Sequence, residues 1–197
     1  MILSDGTIQQ YLRDGTIKFI AGDERSLDDL IDHVVCASFD LRLGNEFKIF
    51  PVRPDAILNP FVDDSTDITE HVHVADGEDF VLHPGRFILG ATKERIGLPD
   101  HLVARVEWRS SIGRLWLLVH ITAGYIDPGF GWDSPSTITL EIRNINTVPI
   151  VVRPGMRICQ LAFETMDTPA VMPYNKKKNA KYNGQISPQE SKFHISN

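Results

Sequence analysis

The sequence has only two cysteines among 197 residues, and they are too far apart for a disulfide framework or a cysteine-rich zinc site. It has no apolar run of about 18 residues, and the opening segment lacks a basic stretch followed by an apolar one. Neither a membrane span nor a secretion signal is therefore expected. The net charge of −6 argues against a general nucleic-acid surface. We expect a cytoplasmic protein in which any anionic ligand binds a local basic pocket.

Hydrophobic residues make up 42% of the chain, which is enough for one domain, residues 1–197, with a substantial core. Ser4 is a plausible N-cap for a short N-terminal helix, in which Ile8 and Leu12 recur at helical spacing before Gly15. A second helical turn is expected near 27–31. From residue 39 onward, short apolar runs are separated by turn residues, which predicts a mainly β protein. The strands are predicted at 47–50, 71–74, 87–90, 103–107, 115–120, 137–142 and 150–152.

A strand spacing of about ten residues favours a barrel or a jelly roll. The composition becomes polar and basic after Pro173 and shows little apolar patterning. We therefore expect residues 174–197 to form a flexible C-terminal segment.

Two guanidinium groups and two hydroxyls lie within Arg109-Ser110-Ser111-Ile112-Gly113-Arg114. Forked guanidinium donors, hydroxyls and backbone N–H groups together suit an anion cradle. A solvated turn between two strands has the same composition, so these six residues alone leave both interpretations open.

Two carboxylates follow this segment. Asp127 lies in a turn beside Gly124 and Gly129, which suits either close approach to a ligand or an ordinary hairpin. Strand alternation over 137–143 places Glu141 on the face opposite Leu140 and Ile142. The side chain of Glu141 is then either simply solvated or, if that face lines a cleft, placed for proton transfer.

Six blocks occur in a fixed order along the chain, at 37–44, 109–114, 122–129, 139–141, 157–161 and 174–185. In their residues, order and spacing they resemble the dCTP deaminase branch of the dUTPase superfamily, and the opening Met1-Ile2-Leu3-Ser4-Asp5 is similar as well. This combined resemblance favours the anion cradle over the solvated turn.

The resemblance implies a distorted β-barrel or jelly roll, a homotrimer, and active sites between subunits. By the same resemblance, Glu141 activates water for attack on C4 of cytosine, while Ser110 and Arg114 orient that water and stabilise charge. Ala123 and Asp127 complete the implied catalytic set. The implied substrate contacts are Arg109, Ser111, Ile112, Gly113, Thr139, Leu140, Gln160, Tyr174, Lys181 and Gln185, the last three in a segment that closes over the phosphates.

The substrate implied is dCTP, with dUTP and dTTP as further nucleotide ligands, and Mg²⁺ enters with the triphosphate rather than on protein side chains. No zinc is expected, because the His-x-Glu and Pro-Cys-x-x-Cys signatures of zinc deaminases are absent. The histidines at 71, 73, 83 and 120 are expected to be structural. His120, which precedes 121–123, is also a candidate to support the site by hydrogen bonding.

Gly124 and Gln160 resemble the members that go on to dUMP and pyrophosphate, with Asp127 positioning water at the α-phosphorus. Two alternatives stand beside a dCTP deaminase: a monofunctional dUTPase, and a catalytically silent nucleotide-binding regulatory protein. Residues 131–136 make the connection to Glu141 longer than the family pattern, so a shift in its strand register is one possible consequence.

Overall fold

The computed structural model describes residues 1–120 and 122–196; Ile121 and Asn197 lie outside the described residues. Two segments are α-helical, α1 (Asp5–Arg13) and the single turn α2 (Ser110–Gly113). Short 3₁₀ segments occur at Asp28–His33, Ser65–Ile68, Tyr174–Lys176 and Phe193–Ser196. The strands are β1 (Lys18–Ile20), β2 (Val34–Val35), β3 (Ser38–Arg42), β4 (Glu46–Ile49), β5 (Glu70–His73), β6 (Phe80–Leu82), β7 (Phe87–Ala91), β8 (Arg95–Gly97), β9 (Leu102–Trp108), β10 (Leu117–Leu118), β11 (Tyr125–Ile126), β12 (Thr139–Asn144), β13 (Ile150–Val152) and β14 (Arg157–Thr165).

The predicted N-terminal helix is confirmed as α1, which buries Ile8 and Leu12 against the core. Ser4 occupies the cap position, but its side chain makes no capping hydrogen bond. The helix ends before Gly15, which adopts φ = 79°, a left-handed conformation that glycine reaches without a Cβ penalty. The predicted second helical turn is present as a 3₁₀ segment.

Antiparallel strands build two five-stranded sheets, ordered β11-β9-β14-β3-β2 and β10-β12-β7-β4-β5. Two further pairs, β1-β8 and β13-β6, flank them. The mainly β prediction is therefore confirmed. Over the part of the chain that the structure describes, both large sheets are open at their ends, so a two-sheet arrangement describes them better than a closed barrel.

Both large sheets contribute to a continuous apolar core. Leu140 and Ile142 enter it from β12, and Leu161 and Phe163 enter it from β14, all fully buried. Alternation along β12 leaves the side chain of Glu141 on the opposite face. This alternation fixes the face on which the site described below is built.

One predicted strand is much shorter than expected. Residues 115–120 were expected to be extended, but only Leu117–Leu118 pair as β10. Trp116 adopts φ = 59° directly after the α2 turn, and its carbonyl accepts a hydrogen bond from Ile145 N at 3.0 Å. The turn therefore takes up the residues that apolar composition assigned to a strand.

Candidate active site

A cavity of about 540 Å³ lies against β12, and Glu141 lines it. Most of its wall is apolar, and a few polar groups converge on it, as is usual where small molecules bind. The apolar wall includes Phe50, Leu58, Phe87, Leu89, Ile126, Phe130 and Ile138. Ala123, Asp127, Thr139, Tyr174, Tyr182 and Gln185, all predicted site residues or their neighbours, also line it.

The Glu141 carboxylate is half-buried and held from one side by Thr122. Thr122 N donates to Oε2 at 2.8 Å, and the Thr122 hydroxyl lies 2.9 Å from Oε1 and 2.7 Å from Oε2. Across the sheet, Glu141 pairs with Leu89 of β7. The predicted facing of Glu141 is confirmed despite the longer connection at 131–136. The role of Thr122 was not predicted.

Asp127 lies in the turn after β11 and also lines the cavity. Its Oδ2 accepts from Lys177 Nζ at 3.1 Å. The turn depends on Gly129, which has φ = 83° and no room for a side chain, because a Cβ there would lie 2.7 Å from Pro173 Cβ. The expected glycine-flanked turn therefore brings the chain after Pro173 close to the carboxylate.

The segment after Pro173 packs against this cavity within the same chain. Tyr174 N donates to Pro128 O at 2.7 Å, and the Tyr174 ring lies 5.9 Å from that of Phe130. Burial raises the pKa of the Tyr174 hydroxyl. The position over the cavity agrees with a closing segment, while its flexibility stays a prediction.

Gln185 and Lys181 occupy different positions in that segment. Gln185 is 5% exposed, and its Nε2 donates to Thr137 O at 2.6 Å. Its Oε1 has no hydrogen-bond partner among the described residues. Lys181 does not line the cavity; its Nζ lies 5.7 Å from the ring centroid of Phe193.

The predicted arginine and serine cluster lines a second cavity of about 530 Å³. It contains Arg109, Ser110, Ser111, Arg114 and Gln160, together with Val35 and Asp40. Both serines and Arg114 are exposed at its rim, where their hydroxyls and guanidinium suit an anionic ligand. The cluster is therefore assembled as predicted.

Two sets of polar contacts support this second cavity. The Arg109 guanidinium lies 3.1 Å from the buried Asp40 carboxylate and donates to Arg157 O at 3.1 Å. The Gln160 amide accepts from Ser38 Oγ at 2.7 Å and donates to Trp108 O at 3.0 Å. Both side chains are held in fixed orientations before any ligand contacts them.

The predicted catalytic residues are divided between the two cavities. Glu141 and Asp127 line the first, whereas Ser110 and Arg114 line the second. The described chain therefore does not bring the whole predicted set to one cavity.

Two of the predicted contacts cannot be made by side chains. The side chains of Ile112 and Leu140 are buried in the core. For these two residues, the predicted substrate contact could therefore involve only main-chain groups and not the side chain. The main-chain groups of Ile112 already have partners, since Ile112 N donates to Arg109 O at 2.9 Å and Ile112 O accepts from Leu115 N at 3.0 Å.

His120, the histidine proposed from the sequence to support the site, packs beside Trp108 and Gly124. Burial lowers the pKa of its imidazole, and the charges of Glu107 and Glu141 act in the opposite direction. Its ring lies 5.7 Å from the Trp108 ring. Gly124 packs closely on it, since a Cβ on that glycine would lie 2.8 Å from His120 Cε1.

Sequence reasoning missed the contribution of residues 50–69 to the first cavity. Phe50, Leu58 and Ser65 all line it, although this stretch carries no periodic pattern. Phe50 is the last residue of a predicted strand, and its ring packs near that of Phe87 with 5.4 Å between ring centroids. An aromatic residue at the end of a strand was the one available signal.

Within residues 1–120 and 122–196, no three His, Cys, Asp or Glu side chains are arranged to hold a metal ion. Over the same described ranges, no helix has both the length and the apolar character to cross a membrane. The expectation that no zinc is used stays a prediction.

Comparison with known proteins identifies the family. A family model described as dCTP deaminase-like matches residues 2–166. The "dCTP deaminase, dUMP-forming" of Dictyoglomus thermophilum is 45% identical over 195 residues, which cover 99% of this chain and 96% of that protein. The "dCTP deaminase" of Natronomonas pharaonis is 44% identical over 194 residues, covering 98% and 95%.

A solved structure agrees with the sequence relatives. The crystal structure of 2′-deoxycytidine 5′-triphosphate deaminase from Agrobacterium tumefaciens matches 84% of this chain with a TM-score of 0.62 and 29% identity. The match spans 48% of that protein's chain. The resemblance drawn from the six sequence blocks is thereby confirmed, and the chain belongs to the dCTP deaminase-like family.

Proposed function

We propose that this protein hydrolyses dCTP at C4, releases ammonia, and cleaves the resulting nucleotide further to dUMP and pyrophosphate. The observation that carries the proposal is the Glu141 carboxylate, held by Thr122 at the wall of a largely apolar cavity of nucleoside size. An oriented carboxylate at the wall of a largely apolar cavity suits proton transfer to and from a bound base.

In the first reaction, Glu141 takes a proton from water as the oxygen bonds to C4, which gives a tetrahedral carbon. That proton goes to N3; Glu141 then moves the proton of the new C4 hydroxyl to the exocyclic nitrogen, the C–N bond breaks, and ammonia leaves as the C4 oxygen becomes the carbonyl of uracil. Ser110 and Arg114 supply donors that orient the water and offset the developing charge. Both side chains are exposed at the second cavity. We therefore propose that they act in the active site of a neighbouring subunit.

In the second reaction, Asp127 orients a water for attack at the α-phosphorus, and pyrophosphate leaves. Relatives between 43% and 47% identical carry both names, "dCTP deaminase" and "dCTP deaminase, dUMP-forming". The presence of Gly124 and Gln160 supports the dUMP-forming outcome for this chain. Mg²⁺ accompanies the triphosphate as part of the substrate, since phosphate oxygens are the ligands that it prefers.

A homotrimer with shared sites is part of the proposal. It is supported by the division of the catalytic residues between two cavities of one chain, because a rotation about a threefold axis can place one subunit's second cavity against a neighbour's first. Arg109 and Ser111 would then hold the phosphates while the nucleoside occupies the first cavity. Tyr174 and Gln185 would cover it.

The monofunctional dUTPase and the silent binding protein remain the alternatives. Incubation with dCTP and Mg²⁺, followed by anion-exchange separation and an ammonia assay, separates all three. Ammonia with dUMP and pyrophosphate supports the proposal, and ammonia with dUTP alone limits it to deamination. Unchanged dCTP would contradict the proposal. In that case, hydrolysis of added dUTP would identify a dUTPase, and unchanged dUTP would identify a silent binding protein.

Two controls sharpen the assay. The Glu141→Gln variant is expected to retain dCTP binding and lose ammonia release. A zinc chelator that leaves Mg²⁺ in excess is expected to leave the rate unchanged. Loss of activity on chelation would contradict zinc-independent deamination.

A further inference from the structure

Two segments distant in sequence form one wall of the Glu141 cavity. The 50–69 loop contributes Phe50, Leu58 and Ser65, and residues 185–193, which we call the strap, contribute Gln189, Glu190 and Ser191 besides Gln185. Neither segment belongs to a large sheet. Their position therefore depends on the contacts that they make with each other and with the sheet beneath.

Glu190 lies at the centre of these contacts and is 7% exposed. Its Oε1 accepts from the Thr69 hydroxyl at 2.5 Å and lies 3.1 Å from Lys48 Nζ. Thr69 is the last residue of the 50–69 loop, while Lys48 lies on β4. The carboxylate thus joins the strap to both the loop and the sheet.

Two further contacts also join the strap to the 50–69 loop. Ser65 Oγ donates to Ser191 O at 2.7 Å, and the rings of Phe61 and Phe193 meet edge to face with centroids 5.5 Å apart. Loop and strap therefore share a polar and an apolar contact as well as the buried charge. Together, the 50–69 loop and the strap form one wall of the cavity, which we call the cover.

Strand register places this cover relative to the chemistry. Lys48 pairs with Leu89 of β7, and Leu89 pairs with Glu141 of β12, so all three side chains share one face of the sheet. Two strand spacings separate Lys48 from Glu141, about 10 Å. The Lys48 ammonium contacts Glu190, and the cover that it secures lines the same cavity as Glu141.

A buried carboxylate without a partner is strongly unfavourable, so removing Lys48 disfavours the seated position of the strap. The strap also reaches β12 itself, because Gln189 N donates to Thr139 Oγ1 at 3.3 Å. Thr139 is two residues before Glu141. Displacing the strap would therefore open the cavity on the side where the base is expected to bind.

We infer that Glu190, Lys48 and Thr69 are positioning residues that seat the strap and the 50–69 loop over the nucleotide cavity and thereby set the affinity for substrate. This inference rests on the proposed function for its substrate. Glu190 and its partners do not take part in the proton transfers. Removing any of these three side chains is therefore expected to raise KM for dCTP and to leave kcat little changed.

Steady-state kinetics on Glu190→Gln, Lys48→Met and the reversed pair K48E/E190K tests this. Each single variant is expected to raise KM for dCTP about tenfold with kcat within about twofold, and the reversed pair to recover part of the loss. Asp79→Asn, which breaks the exposed ion pair with Arg153, is the matched control and should behave as wild type. Unchanged KM in both single variants, with unfolding transitions like that of wild type, would overturn the inference.

Hydrogen exchange separates this inference from the proposed function. In the wild-type protein without nucleotide, amides of the strap are expected to be protected, and Lys48→Met should remove that protection while leaving β9 and β14 protected. This readout does not require turnover. Equal protection of the strap in both proteins would contradict the positioning role, even if dCTP is deaminated; lost protection would support it, even if dCTP is not.

Discussion

Thr122 and Glu141 are joined through both the backbone and the side chain of the threonine, with donor–acceptor distances between 2.7 and 2.9 Å. A hydrogen bond to a charged group contributes about 1.5–3 kcal/mol. We therefore expect Thr122→Val to lower kcat for deamination by about tenfold or more. Thr122→Ser, which keeps the hydroxyl, should stay close to wild type. Ammonia release under saturating dCTP measures both.

A valine variant as fast as wild type would contradict the positioning role of the Thr122 hydroxyl and leave the backbone N–H as the effective donor. Binding of dCTP measured by calorimetry should be similar in all three proteins, since Thr122 acts through Glu141.

The orientation of Glu141 could be predicted from sequence because a strand repeats every two residues. Once Leu140 and Ile142 are buried, the carboxylate has to face the other way. The contact with Thr122 could not be predicted in this way, since it spans 19 positions that include β11 and the irregular connection from β11 to β12. Residue type alone gave no reason to pair them.

The contacts between the 50–69 loop and the strap could not be predicted from the sequence for the same reason. Ser65 meets the carbonyl of Ser191 across 126 positions, and both segments lack an apolar period. Composition indicated that the C-terminal segment is polar, from which flexibility was expected. Specific hydrogen bonds and one buried charge hold its position in the structure, and such contacts leave no periodic signal.

Arg42 provides a test of stability away from the site. It is 1% exposed, and its guanidinium contacts Glu94, Asp23 and the carbonyl of Ala21. Because Arg42→Met leaves the buried Glu94 carboxylate without its charged partner, we expect the free energy of unfolding to fall by about 3–5 kcal/mol. Urea unfolding at one fixed protein concentration measures this.

The matched control is Arg13→Met, which removes an exposed arginine paired with Asp28. An exposed pair of this kind contributes at most about 1 kcal/mol. A loss for Arg42→Met no larger than that of the control would mean that the buried network is replaceable by apolar packing.

His33 makes stability depend on pH. It is 4% exposed, and burial, helped by the charge of Arg157, lowers the pKa of its imidazole from 6.5, while the Asp40 carbonyl and the Asp32 and Asp40 charges oppose this. The unfolded chain therefore binds the proton more readily than the folded chain. The free energy of unfolding should fall as pH drops below about 6.5, by at most about 1.4 kcal/mol per pH unit from this group.

Urea unfolding of wild type and His33→Asn at pH 7.5 and pH 5.5 isolates this contribution. Acid effects common to both proteins cancel in their difference. The stability advantage of wild type is expected to shrink at the lower pH. An advantage that is the same at both values would show that His33 is not the source of the pH dependence.

Gly124 is expected to influence which product is released. A Cβ there would lie 2.8 Å from His120 Cε1 and 3.1 Å from Val106 O, so Gly124→Ala has to displace the imidazole. Overpacking of this kind costs about 1–3 kcal/mol, and G124A/H120A should recover most of it. Because Gly124 is three residues before Asp127, we also expect the fraction of dUMP to fall relative to dUTP.

Thermal unfolding and chromatographic separation of the two nucleotides check these outcomes. Gly6→Ala is the control, since a Cβ at that position meets nothing within 4 Å. A product ratio in Gly124→Ala equal to that of the control would remove Gly124 as the residue that favours dUMP.

The proposal that neighbouring subunits share each active site can be tested with mixed trimers. Glu141→Gln and Arg114→Met are each expected to be inactive, for loss of the proton carrier and of a charged donor. If each site combines Glu141 of one subunit with Arg114 of its neighbour, a mixed trimer contains some sites in which both residues are intact. Each trimer with two copies of one variant and one of the other has one such site in three, so purified mixed trimers should show about a third of wild-type activity.

Coexpression of the two variants with different affinity tags, followed by two-step purification, provides the mixed trimers, and light scattering should give a mass three times the 22.2 kDa of one chain. Sites built within one subunit would give no recovery, because every subunit carries one defect. Arg114 is exposed, so its substitution should not disturb folding. Activity in the mixture, with none in either parent, can then arise only where the two cavities of different subunits meet.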